Sequence, residues 1–110
     1  MEIKQQRDGE KLTVQLTGRL DAVTAIQLDK EILKVIDGVE DLTMDFADLA
    51  YIASAGLRIL LKLQKRMNTQ GNFKIINVKP DVREVLDMTG FSRLLTIEDT
   101  SAPKKLSFNF

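Results

Sequence analysis

The sequence predicts a single α/β domain whose mixed sheet holds four to five strands, accompanied by about three to four helices. Three observations carry that expectation. Apolar and polar residues alternate over Leu12 to Thr17 and again over Leu42 to Phe46, the period of half-buried strands. Each run is followed by a segment whose apolar residues recur at helical spacing. An Asp8-Gly9 pair between two strand-like runs marks an opening hairpin ahead of the strand–helix alternation. That order implies right-handed crossovers feeding a mixed sheet.

The elements follow in turn. Ile3 to Gln6 and Leu12 to Thr17 read as the hairpin strands, with Leu12, Val14 and Leu16 on the buried face. Gly18 breaks the second strand, and Asp21 or Thr24 can cap a helix running to about Ile36. Ala25, Leu28, Ile32 and Val35 form its apolar stripe, and Asp37-Gly38 stops it. A third strand covers about 41–46 and a second helix about 55–69. Gly71-Asn72 then turns the chain into a short strand, Phe73 to Asn77, with Phe73, Ile75 and Ile76 as candidates to face inward. Pro80-Asp81 opens a third helix through Met88, burying Val82, Val85 and Leu86 and ending at Gly90. Leu95 to Glu98 is a candidate last strand. For the tail, 100–110, helix and strand both remain open: Pro103 could start a helical turn, while Phe108 and Phe110 alternate.

Composition narrows the chemistry. At 110 residues the chain is long enough for one domain with its own core. It has no cysteine and no histidine, which removes disulfides, Cys/His zinc sites and every Ser-His or Cys-His catalytic arrangement. No membrane-spanning run and no signal-peptide pattern occur, so a cytoplasmic protein without membrane insertion is expected. The formal net charge is zero, which argues against nucleic acid as a partner. The charge is unevenly spread. Residues 1–48 hold six basic and eleven acidic side chains, whereas 49–80 hold six basic and none acidic. Arg58, Lys62, Lys65 and Arg66 share a helix face. Such a face is ordinarily just solvated; its functional reading is a basic strip that steers an acidic partner.

The joint between the third strand and second helix is Ala53-Ser54-Ala55-Gly56, all small residues. A hydroxyl there ordinarily caps the helix. It is also a suitable phosphorylation site, because added phosphate would meet the positive helix end. Catalysis has little to work with. Ser54 and Lys62 lie two helical turns apart, Arg58 cannot serve as a base, and no phosphate-loop motif is present. Asp45 and Asp48 resemble a metal pair only loosely, and Asp48 is read as a turn former, so no metal site is expected.

These pieces also carry a family resemblance. Asp45-Phe46, Tyr51-Ile52 and Ser54-Ala55-Gly56-Leu57 with its Leu-rich helix resemble the centre of a STAS domain, nearest the bacterial anti-sigma factor antagonists. Gly18-Arg19-Leu20-Asp21, Gly71-Asn72-Phe73, Val85-Leu86 and Thr89-Gly90-Phe91 stand in the family's order, so the resemblance spans residues 1–99. It implies that Ser54 is the phosphoacceptor and that Asp21, on the same edge, helps dock an anti-sigma factor. Ala53, Ala55, Gly56, Arg58 and Lys62 would complete the contact surface. The implied partners are an anti-sigma factor that is also a histidine-kinase-like serine kinase, and a PP2C-type serine phosphatase. ATP belongs to the kinase, so no cofactor is expected on this chain, which would be a monomer or weak dimer and not an enzyme. Many family members have Asp before the serine; here Ala53 stands there, which bears on the efficiency of the switch. A STAS component of a transport, lipid-trafficking or scaffold complex, never phosphorylated, is the alternative.

Overall fold

The structure, a computed structural model, describes residues 1–98; the tail 100–110 lies outside the described residues. Strands β1 (Glu2–Asp8) and β2 (Lys11–Leu20) form the expected antiparallel hairpin. Helix α1 (Ala22–Leu33), strand β3 (Asp41–Ile52), helix α2 (Ser54–Gln70), strand β4 (Asn72–Ile76) and helix α3 (Pro80–Met88) follow, with a short 3-10 turn at Phe91–Arg93. The four strands lie in the order β1-β2-β3-β4, antiparallel at the first pair and parallel at the next two. The single domain with a mixed sheet is therefore present, with four strands and three α-helices among the described residues.

Leu12, Val14 and Leu16 from β2, Leu42 and Met44 from β3, and Phe73 and Ile75 from β4 are buried on one sheet face. Ala25, Leu28 and Ile32 of α1 and Leu60, Leu63 and Met67 of α2 complete the same core. Thr43 and Asp45, on the alternate face of β3, stay half-exposed.

Several boundaries differ from the sequence expectation, each for a physical reason. Gly18 does not end β2; at φ 113° it carries the strand through an irregularity to Leu20. β3 does not stop at Phe46. Between Gln15↔Asp45 and Thr17↔Asp48, and again between Gly18↔Leu49 and Arg19↔Tyr51, β3 takes one extra residue. These bulges change the burial spacing from two to three, so Phe46, Leu49 and Ile52 are all buried. Asp48 consequently sits inside β3 rather than in a turn. α1 ends at Leu33 instead of Ile36. Its chain then tightens through a Val35 N–H to Ile32 O bond and buries Ile36 and Val39, while Arg7 Nη1 holds the Val35 carbonyl at 3.0 Å. Leu95 to Glu98 forms one parallel bridge, Ile75↔Ile97, rather than a strand. Ile76 and Val85 are only partly buried.

Gly71 allows the chain to cross directly over Glu40, whose carbonyl accepts the Asn72 N–H at 2.7 Å. A Cβ at Gly71 would collide with the Glu40 carbonyl oxygen and carbon, which are backbone atoms that cannot swing aside. Its φ of 171° is ordinary extended backbone, so the glycine is required by space alone. Gly71→Ala should destabilise the domain by about 2 kcal/mol or more through overpacking, read as a lower urea midpoint at unchanged m-value.

Candidate functional site

Two strands end side by side, and each becomes a helix after a single residue. Leu20 pairs with Ile52 in the parallel β2–β3 ladder, and the Ala53 N–H donates to the Leu20 carbonyl at 2.9 Å. Asp21 and Ala53 follow these residues as the N-caps of α1 and α2. The fold thus brings Asp21 to the same edge as Ala53, Ser54, Ala55 and Gly56, although the two segments are about thirty residues apart in sequence.

The two helix ends are finished differently. At α1, Asp21 Oδ1 accepts the N–H groups of Val23 and Thr24, both at 3.0 Å. The Thr24 hydroxyl in turn accepts the Asp21 N–H at 2.8 Å, closing a capping box. Thr24 thus joins Asp21 in the cap instead of replacing it. The Thr24 backbone N–H, and then its hydroxyl, hold the Asp21 carboxyl below the ordinary carboxylate range, with smaller help from the Val23 N–H and Arg19. At α2 the cap is Ala53, which has no side-chain acceptor. Ser54 stands one residue too late to cap, as the first helical residue, and is exposed. Its hydroxyl is at the surface above a helix end whose first amides receive no side-chain bond.

Gly56 is buried because α2 seats directly on the two strand ends. A Cβ there would come within 2.7 Å of Leu20 Cγ and 3.1 Å of Ile52 Cγ1. Arg58 and Lys62 are exposed on the outward side of α2. Lys62 is not a free charge: its Nζ reaches Asp29 Oδ1 of α1 at 3.0 Å, as Arg66 Nη2 reaches Asp37 Oδ1 at 2.7 Å. The absence of acids between residues 49 and 80 therefore does not leave the strip wholly unpaired, because Asp29 of α1 and Asp37 in the segment after it supply carboxylates. Among the described residues Arg58 and Lys65 make no ion pair.

Tyr51 is 40% exposed and stacked beneath Arg19, whose Cζ lies 4.2 Å from the ring centroid. Asp45 Oδ1 accepts the Ala47 N–H at 2.9 Å and the Asn77 amide at 3.1 Å, which braces the first bulge of β3. The sequence reading passed over Val23 and Ile26, exposed apolar residues close to the Asp21 cap. Their signal was present as apolar positions outside the stripe of α1.

Comparison with known proteins adds the following. Residues 2–103 match the family model described as the STAS domain. BtrV of Bordetella bronchiseptica, a provisionally named anti-sigma factor antagonist, is 32% identical over 95 residues, 84% of this chain and 82% of that protein. An anti-sigma F factor antagonist of Paenibacillus polymyxa is 28% identical over 104 residues, 90% of this chain and 87% of that protein. The anti-sigma factor antagonist SpoIIAA, solved in its unphosphorylated form, is similar in fold with a TM-score of 0.78 at 21% identity, covering 92% of this chain and 90% of that one. The phosphorylated form of the Bacillus SpoIIAA gives a TM-score of 0.71 at 20% identity, covering 92% and 93%.

Two outcomes follow from the unequal caps. Ala53→Asp supplies the missing acceptor and should stabilise the domain by about 1 kcal/mol, seen as a rise of a few degrees in melting temperature. Asp21 has a depressed native pKa, so its contribution is complete above the unfolded carboxylate value and is lost as pH falls through the native one. Urea titrations of wild type and Asp21→Ala should accordingly differ most near neutrality and converge in strong acid.

Proposed function

From the premise that the chain belongs to the STAS domain family, we propose that it acts as an anti-sigma factor antagonist whose contact surface is switched at Ser54. The observation that carries the reading is the exposed Ser54 hydroxyl on the uncapped first turn of α2, beside the Asp21 cap. The names of BtrV and of the Paenibacillus protein support the partner class. The existence of SpoIIAA in unphosphorylated and phosphorylated forms supports a phosphate switch on this fold.

In this mechanism the unmodified edge binds an anti-sigma factor, which releases a sigma factor for transcription. The contact comprises Asp21, Ala53 to Gly56, Arg58 and Lys62. The anti-sigma factor is a histidine-kinase-like serine kinase. It transfers the γ-phosphoryl group of ATP to Ser54 Oγ, ADP leaves, and the hydroxyl proton is released. The added phosphate carries a charge of about −1.5 to −2 at pH 7. The positive end of α2 accommodates that charge within the domain, so the fold holds. A partner closing over Ser54 would instead have to desolvate or oppose it, at a cost of several kcal/mol. A PP2C-type phosphatase resets the switch. The domain is thus the ligand and substrate of other enzymes and uses no cofactor of its own. Among the described residues no helix is long and apolar enough to cross a membrane. Sigma factors act in the cytoplasm, and the proposed switch would work there.

Ser54→Asp should weaken binding to the anti-sigma factor by at least about tenfold, or ~1.4 kcal/mol, with the melting temperature nearly unchanged. Titration calorimetry on both proteins checks this, and equal affinities would remove Ser54 from control of the contact.

A further inference from the structure

Helix α1 carries two apolar surfaces. Ala25, Leu28 and Ile32 are buried against the sheet. Val23, Ile26 and Leu33 are 77%, 59% and 48% exposed. At about 100° per residue these three fall within one sector of roughly 80°, on the side of the helix turned away from the core. A surface helix normally shows polar residues there. Isolated exposed apolar side chains need no explanation, but a row of three on one helix face is a candidate interaction surface.

The row begins two residues after the Asp21 cap and therefore continues the Ser54 edge along α1. Beside it runs α2, held to α1 by the Lys62–Asp29 pair and to the segment that follows α1 by the Arg66–Asp37 pair. Those bonds consume the carboxylates between the helices and leave Arg58 and Lys65 unpaired on the outward side of α2. Lys30, exposed within the α1 row, is likewise without an ion pair among the described residues. The outer surface is an apolar ridge with cations in and beside it.

The geometry points to this ridge as the anchor for the anti-sigma factor, which would present an apolar stripe flanked by carboxylates, as an acidic amphipathic helix does. The inference rests on the function proposed above and adds the chemistry of the partner surface. Charge selects this occupant over a second copy of the chain. Two copies meeting through the same outer surface would set its cations, Lys30, Arg58 and Lys65, against an identical set, and like-charge juxtaposition disfavours an interface. An acidic partner meets Lys30, Arg58 and Lys65 with opposite charge. The labour divides physically: the apolar ridge slows dissociation, while the cations accelerate encounter at low salt.

The test uses the purified anti-sigma factor encoded by the same genome, with binding kinetics measured by surface plasmon resonance. The chains compared are wild type, Val23→Ser/Ile26→Ser, Arg58→Gln/Lys65→Gln and Ser54→Asp, each checked for its fold by circular dichroism melting. The exposed Val23 and Ile26 leave the melt unchanged when replaced. The double serine variant should dissociate at least about tenfold faster with association nearly unaltered. The double glutamine variant should associate more slowly at low ionic strength, with the difference shrinking as salt is added. If Ser54→Asp weakens binding while the double serine variant matches wild type, the switch stands and the ridge is refuted as its anchor. If no variant alters binding, the contact lies elsewhere and both readings fall. Should ultracentrifugation show a wild-type dimer that the double serine variant abolishes, the occupant is a second copy and the inference is overturned.

Discussion

The close seating of Gly56 on Leu20 and Ile52 is the contact on which the Ser54 edge depends. With no Cβ at position 56, the first turn of α2 rests directly on the ends of two paired strands. The Ala53 N–H bond to Leu20 fixes the same junction from the backbone side. The entry point of α2 is therefore determined by the sheet. Ser54 is displayed because Gly56, two residues later, is buried. A larger residue at 56 would have to displace Leu20 or Ile52 or lift the helix, and either change would move the hydroxyl relative to Asp21.

Two helix N-termini meet at this edge, and the contrast between them gives the site its electrostatic character. The α1 end is closed by Asp21 and Thr24, so its amides are spent and its negative charge is already in place. The α2 end is open, with its partial positive charge unanswered by any cap side chain. A negative group added at Ser54 thus enters the one position on the edge where the fold favours it. The alanine at the cap forgoes some stability, since an acceptor there is commonly worth about 1 kcal/mol. In exchange the amides face no competing carboxylate of their own chain.

Much of this was legible in the sequence, because the signals are local. The stripe of α1, the small-residue joint, the Asp21 cap and the Asp8-Gly9 hairpin each depend on neighbours within a turn or two. The second half of β3 was not legible. Two bulges shift its burial from every second to every third residue, and no period search built on alternation extends past Phe46. The ion pairs of Lys62 and Arg66 were hidden for a different reason: their carboxylates stand about thirty residues earlier, Asp29 on α1 and Asp37 in the connection that follows it. The outward row of α1 was visible in principle as Val23, Ile26 and Leu33. A reading that seeks the buried face of a helix assigns the stronger stripe and stops.

The single-residue joints have a thermodynamic consequence. Asp21 alone separates β2 from α1, and Ala53 alone separates β3 from α2. An edge built this way has no loop to order when a partner arrives. Association with many surfaces carries an entropic penalty for freezing flexible segments. Here the backbone has been immobilised during folding, and what remains to be ordered is a handful of side chains. As the proposed contact, the edge would be a preorganised template, and discrimination between partners would fall to the chemistry displayed on it rather than to any adjustment of its shape.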